Sequence, residues 1–138
     1  MFSRNKGSII CAFLLAFPVA VFAASSKTEV YIVSPQDGAV VSSPVKVVFG
    51  LQGMGVAPAG VKKANTGHHH LLIDAGKLAS MTAPIPKDAH HKHFGGGQTE
   101  TTLKLPPGKH TLQLVLGDYK HVPVGQSLVS KTITIEVK

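Results

Sequence analysis

Leu112-Gln-Leu-Val-Leu116 and, a turn later, Ile133-Thr-Ile-Glu-Val137 are the stretches that decide the fold. Apolar residues recur there with period two, so Leu112, Leu114 and Leu116 share one face of an extended chain. Val129, Ile133, Ile135 and Val137 are expected on one face in the same way, opposite Ser130, Thr132, Thr134 and Glu136. That period marks strands with one buried face, whereas a helix would need 3.6.

The same alternation extends outward. Val45, Val47, Phe49 and Leu51 interleave with Lys46, Val48, Gly50 and Gln52, and Thr101, Leu103 and Leu105 with Glu100, Thr102 and Lys104. Segments 30–33 and 69–73 bring the count to about six strands, and residues 39–41 add a short seventh. Pro35-Gln36-Asp37-Gly38, Pro106-Pro107-Gly108 and Gly117-Asp118 supply residues that preset or permit turn geometry. Two longer loops, over residues 53–67 and 75–97, stand out, and no helix of useful length is expected. Short strands at this spacing predict an all-β, antiparallel, immunoglobulin-like sandwich.

Ahead of it, Arg4 and Lys6 precede an apolar run over residues 9–22 that only Pro18 interrupts. The run falls short of the roughly 20 residues a membrane helix needs. Together with Val21-Phe22-Ala23 it reads as a signal peptide over residues 1–23, cleaved after Ala23, leaving a single domain over 24–138. The implied location is the periplasm or the cell exterior, without membrane insertion of the mature chain. About 115 residues suffice for one core and are too few for two.

The one cysteine, Cys11, lies inside the signal. The mature chain thus lacks disulfides, thiolate metal sites and cysteine nucleophiles. Loss of Arg4 and Lys6 lowers the net charge from +7 to +5, spread over scattered lysines with no arginine left. Nucleic-acid grooves favour arginine forks, so no nucleic-acid partner is expected.

Three strings carry a resemblance: Gly67-His-His-His-Leu-Leu-Ile-Asp74, His93-Phe-Gly-Gly-Gly-Gln-Thr-Glu100 and Pro107-Gly-Lys-His-Thr-Leu-Gln-Leu-Val-Leu-Gly-Asp118. With Ser34-Pro-Gln-Asp-Gly38, an opening of immunoglobulin-like type, the chain resembles the bacterial domain of unknown function 4399 across almost all of its mature length. The resemblance implies the sandwich but no activity. It departs after Val122-Pro123, where Val124-Gly125-Gln126 replaces an expected proline-richer stretch, so the last loop is expected to be reshaped.

Eight histidines set this chain apart, all in its mature part. Imidazole is the commonest protein ligand for zinc and copper. In a strand, His68 and His70 project from one face and His69 from the other with Leu71 and Ile73, so His68-x-His70 can clasp one ion. His91-Lys92-His93 repeats the arrangement. Two such pairs would supply four nitrogens, for tetrahedral zinc or tetragonal copper(II). The expected site is therefore His68, His70, His91 and His93, with His121 approaching from the loop after Asp118.

His69 and His110 read as structural, the latter where such sandwiches often place a hydrogen-bonding tyrosine. His90 is evenly balanced. Gly95-Gly96-Gly97 reads as a tight or flexible turn and not a phosphate cradle, since it opens no helix and has no adjacent lysine. Residues 98–100 are candidates to support a ligating imidazole, and Met54 is either a copper(I) donor or, more simply, an exposed loop methionine. A metal-binding module ranks first, a non-metal interaction or ligand-binding sandwich second, and a metalloenzyme third. No nucleophile motif appears, and Glu100, Asp74 and Asp118 are the carboxylates read as near enough to the histidines to serve as acid or base.

Overall fold

The computed structural model describes residues 27–138, so the signal reading at 1–23 lies outside the described residues. The chain runs β1 (Glu29–Ser34), β2 (Val40–Val41), β3 (Val45–Gln52), β4 (Gly55–Val56), β5 (Thr66–Ile73), β6 (His91–His93), β7 (Glu100–Leu103), β8 (Gly108–Gly117) and β9 (Ile133–Val137). A 3-10 turn, Gln126–Leu128, precedes the last strand.

Two sheets face each other in a sandwich. One has the order β1-β3-β7; the other runs β2-β9-β8-β5, with β4 and β6 both paired to the outer edge of β5. Most pairs are antiparallel, while the short edge pairs β2–β9 and β4–β5 are parallel. Nine strands form among the described residues where six or seven were expected. The additional ones, β4 and β6, are two and three residues long inside the two loops, too short to carry an apolar period.

Between the sheets lie Val47, Phe49, Leu71, Leu103, Leu112, Leu114, Leu116, Ile135 and Val137, the alternation read from the sequence. Burying side chains of this size contributes about 1.5–3 kcal/mol each. Met54 packs against this core and is thus not simply a loop residue. A smaller apolar cluster of Leu72, Ile85 and Val115 forms on the outer face of the larger sheet, beneath the loop over 75–97.

The expected single face from Val129 to Val137 is corrected. Val129 packs against the outer cluster, whereas Ile133 packs against the main core. The register breaks at Ser130, whose buried hydroxyl accepts the Leu114 N–H and donates to the Lys131 carbonyl, 2.8 Å each. Bonded this way to a neighbouring strand and to its own backbone, the segment leaves the ladder until Ile133.

His110 fixes one end of β8. Its Nδ1 meets Asp74 Oδ2 at 2.7 Å and its Nε2 meets the Pro106 carbonyl at 2.9 Å. Both partners accept hydrogen bonds, so the ring that satisfies both is the imidazolium. The Asp74 hydrogen bond and the Pro106 carbonyl raise the His110 pKa. Burial pulls Asp74 upward, but His110 and the Thr111 N–H outweigh it and hold the carboxyl below its usual range.

A pH signature follows from these signs. The raised histidine stabilises the fold fully below its unfolded pKa of about 6.5, and loses that contribution as pH rises through the folded value. The depressed carboxylate contributes above about 3.9 and loses its contribution as pH falls through the folded value. The stability difference between the native protein and His110→Ala is therefore expected to be largest near pH 5–6 and smaller at pH 8. Because Asp74 is partly solvated, the ion-pair share is roughly 1 kcal/mol or less. Denaturant melts at both pH values check this; a pH-independent difference would rule out the ion pair.

Candidate metal centre

β5 lies in the larger sheet between β8 on one side and β4 with β6 on the other. His69 faces the sandwich core, packs against Phe49 with the rings tilted and their centroids 5.2 Å apart, and places Nδ1 3.3 Å from the Gln98 carbonyl. It is structural, as its face predicts. Gln98 thereby supports His69, and its side chain is bonded to the Gly96 N–H.

His68 and His70 lie on the opposite face, yet are buried at 0% and 1% exposure. Two loops from elsewhere in the chain cover that face. Antiparallel pairing of β5 with β6 sets His93 directly opposite His70. The turn after β8 brings His121, its N–H bonded to the Asp118 carbonyl and its carbonyl accepting the Ile85 N–H. Asp118 Oδ1 accepts the Lys120 and Val122 N–H groups, at 2.8 and 2.9 Å, which holds His121 in its left-handed conformation with φ 68°.

One nitrogen from each of His68, His70 and His93 lies within 4.8 Å of the others. His121 joins them as a ring, its centroid 5.0 Å from that of His68 and 4.8 Å from that of His93. His91 does not join. The register that puts His93 opposite His70 puts His91 opposite Leu72, further along β5 from His68. Its Nδ1 instead meets Asp88 Oδ1 at 2.8 Å. The same carboxylate accepts the His90 N–H, and His90 Nδ1 meets the Ile73 carbonyl at 2.8 Å. His90 and His91 thus shape the turn into β6.

The cluster fits a metal by its own chemistry. His68 Nε2 and His70 Nε2 are 3.0 Å apart, so one neutral ring donates its single N–H to the lone pair of the other. The Nδ1 atoms of both rings, and Nε2 of His93, remain buried without a partner. Buried unpaired polar atoms cost about 1–3 kcal/mol each, and an ion held between the Nε2 atoms removes that cost at His93. Two nitrogens on one tetrahedral ion at 2.0–2.1 Å stand about 3.3 Å apart, close to the spacing present.

Protonation is disfavoured for the same reason. Burial, then the charges that His68, His93 and His121 would carry, push His70 down to about 3. Burial, His121 and His93 push His68 down to about 4, against an upward pull from Asp118. His93 is lowered by burial, His121 and Lys87. Near neutral pH these rings are neutral and keep the lone pair that a metal needs.

Two glycines make room for the rings. A Cβ at Gly117 would stand 2.9 Å from His70 Nε2, and one at Gly95 would stand 2.7 Å from His93 Nε2. Gly97, with φ 84°, closes the expected tight turn onto the Phe94 carbonyl. The supporting roles of Gly95, Gly117 and Asp88 were missed in the sequence, where their only signal is adjacency to a histidine or to a turn. Gly117→Ala is expected to cost about 1–3 kcal/mol by overpacking the buried His70 ring, measured by chemical denaturation. An unchanged midpoint would mean that the ring has room to move.

A pocket of about 290 Å³ opens beside the cluster, walled by His70, His93 and His121 on one side and by Pro84, Ile85, Pro86 and Lys87 on the other. It gives an ion a route to three of the four rings. Comparison with known proteins adds one match: a family model described as a domain of unknown function covers residues 47–138, from the third strand to the end of the chain. No curated protein and no solved structure matches. The match takes in every histidine of the cluster and both glycines that accommodate it, and the chain belongs to the DUF4399 family.

Proposed function

We propose that the chain is an exported module that holds one divalent transition metal, copper or zinc, at His68, His70 and His93, with His121 beside them. The observation that carries this reading is the convergence of three imidazole nitrogens within 4.8 Å, two of the rings being fully buried and the third, His93, presenting a buried Nε2 that has no protein partner. Buried polar groups are ordinarily paired, so such a cluster is costly unless something binds there. The basic and apolar start of the chain and its small-residue exit at Ala23 support export to the periplasm or beyond.

The test is retention. Mature protein stripped with a chelator, reloaded with zinc or copper and dialysed is expected to keep one equivalent of metal, by elemental analysis. Metal lost as readily as from a flexible histidine peptide would leave the cluster structural and favour the interaction-module reading. The mass of the exported protein is expected to correspond to a chain starting at Ala24; a mass that includes Cys11 would contradict the export argument.

A further inference from the structure

Resting on that metal-binding reading, we infer that His121 is the fourth ligand and that the site is built for a tetrahedral ion, zinc, and not for tetragonal copper(II). The six centroid separations among His68, His70, His93 and His121 are 4.8, 5.0, 5.0, 5.0, 5.8 and 4.8 Å. Four points that are nearly equidistant in every pair are the corners of a tetrahedron. A planar set would need two opposite separations to be about 1.4 times the other four. Here the longest, His70 to His121 at 5.8 Å, lies opposite His68 to His93 at only 5.0 Å.

Scale agrees with shape. Four imidazoles on one ion at zinc–nitrogen distances of 2.0–2.1 Å have centroids about 5 Å apart. His121 stands outside the group of three mutually close nitrogens, although its ring stands among theirs. Turning an imidazole by 180° about its Cβ–Cγ bond exchanges nitrogen and carbon positions with little change in ring outline. Ring rotation is the movement by which a His121 nitrogen would turn toward the other three. Its backbone is already held by the Asp118 turn and the Ile85 N–H.

The donors also favour zinc over copper(I). Copper(I) selects thiolate and thioether ligands, whereas this cluster is all imidazole. Met54, one of the few sulfur-bearing side chains, packs against the main core.

Cobalt(II) is the probe, because its visible absorption is strong in tetrahedral sites and weak in five- or six-coordinate ones. Metal-free mature protein with one equivalent of cobalt(II) is expected to give the intense tetrahedral bands. His121→Ala should weaken those bands, lower zinc affinity at least about tenfold and regain the spectrum on addition of free imidazole. The copper(II)-to-zinc affinity ratio of the native protein is expected to fall below that of a flexible histidine peptide, since the protein geometry opposes the usual order. Weak cobalt bands in the native protein, a spectrum unaffected by His121→Ala, or a peptide-like copper preference would each overturn the inference while leaving a three-histidine site intact. Failure of the native protein to bind zinc, cobalt or copper at all would instead remove the metal-binding reading on which it rests.

Discussion

Replacing His70 and His93 together by alanine is expected to lower metal affinity by at least about 1,000-fold. Structural zinc sites bind with about 10–16 kcal/mol shared among four donors, so losing two removes several kcal/mol, and each 1.4 kcal/mol is tenfold. His91→Ala is the matched control and should leave affinity unchanged, because His91 lies opposite Leu72 and is bonded to Asp88. Competition calorimetry on the two variants separates the outcomes. Affinity retained in the double variant would show the cluster to be structural, and affinity lost in His91→Ala would restore the paired His-x-His arrangement that the spacing suggested.

The pH dependence has a definite sign. A flexible histidine peptide begins to lose metal as pH falls through about 6.5, where protons compete for the lone pairs. In the folded protein, burial first and then mutual repulsion hold His70 down to about 3 and His68 down to about 4. Protons thus compete less, and binding is expected to persist to lower pH than in the peptide. Equal loss of metal from both at pH 6 would argue against the buried site.

The second large effect concerns the core. Leu114→Ala is expected to destabilise the protein by about 2–5 kcal/mol, because Leu114 is 0% exposed between the sheets and its loss leaves a cavity that two hydrogen-bonded layers cannot collapse to fill. For a chain of this size that is a drop in melting temperature of roughly 10–20 °C. The backbone bond from the Leu114 N–H to Ser130 is untouched by the change, so the loss reports packing. A difference near zero in urea melts would mean that Leu114 is not at the centre of the core.

Strand identity was legible in the sequence wherever burial is one-sided. Leu112, Leu114 and Leu116, or Val45, Val47 and Phe49, lie inside because a strand alternates faces and the sandwich buries one of them. The same rule separated His69 from His68 and His70. It failed at Val129, where a serine hydroxyl bonded to the adjacent strand shifts the register, and at β4 and β6, whose pairing rests on backbone bonds that any side chain permits.

The histidine pattern by itself determined that His68 and His70 share a face, since that follows from the two-residue repeat of any strand. Which further histidines meet them was decided only by tertiary structure. His93 joins and His91 does not because the β5–β6 register, set by backbone pairing at the end of a long loop, places one opposite His70 and the other opposite Leu72. His121 joins because the Asp118 turn folds β8's far end back over the same face, and that face is buried at all only because the loops cover it. Residue spacing encodes contacts along one strand. Contacts between strands depend on register and loop path, which are fixed by bonds among residues far apart in the chain.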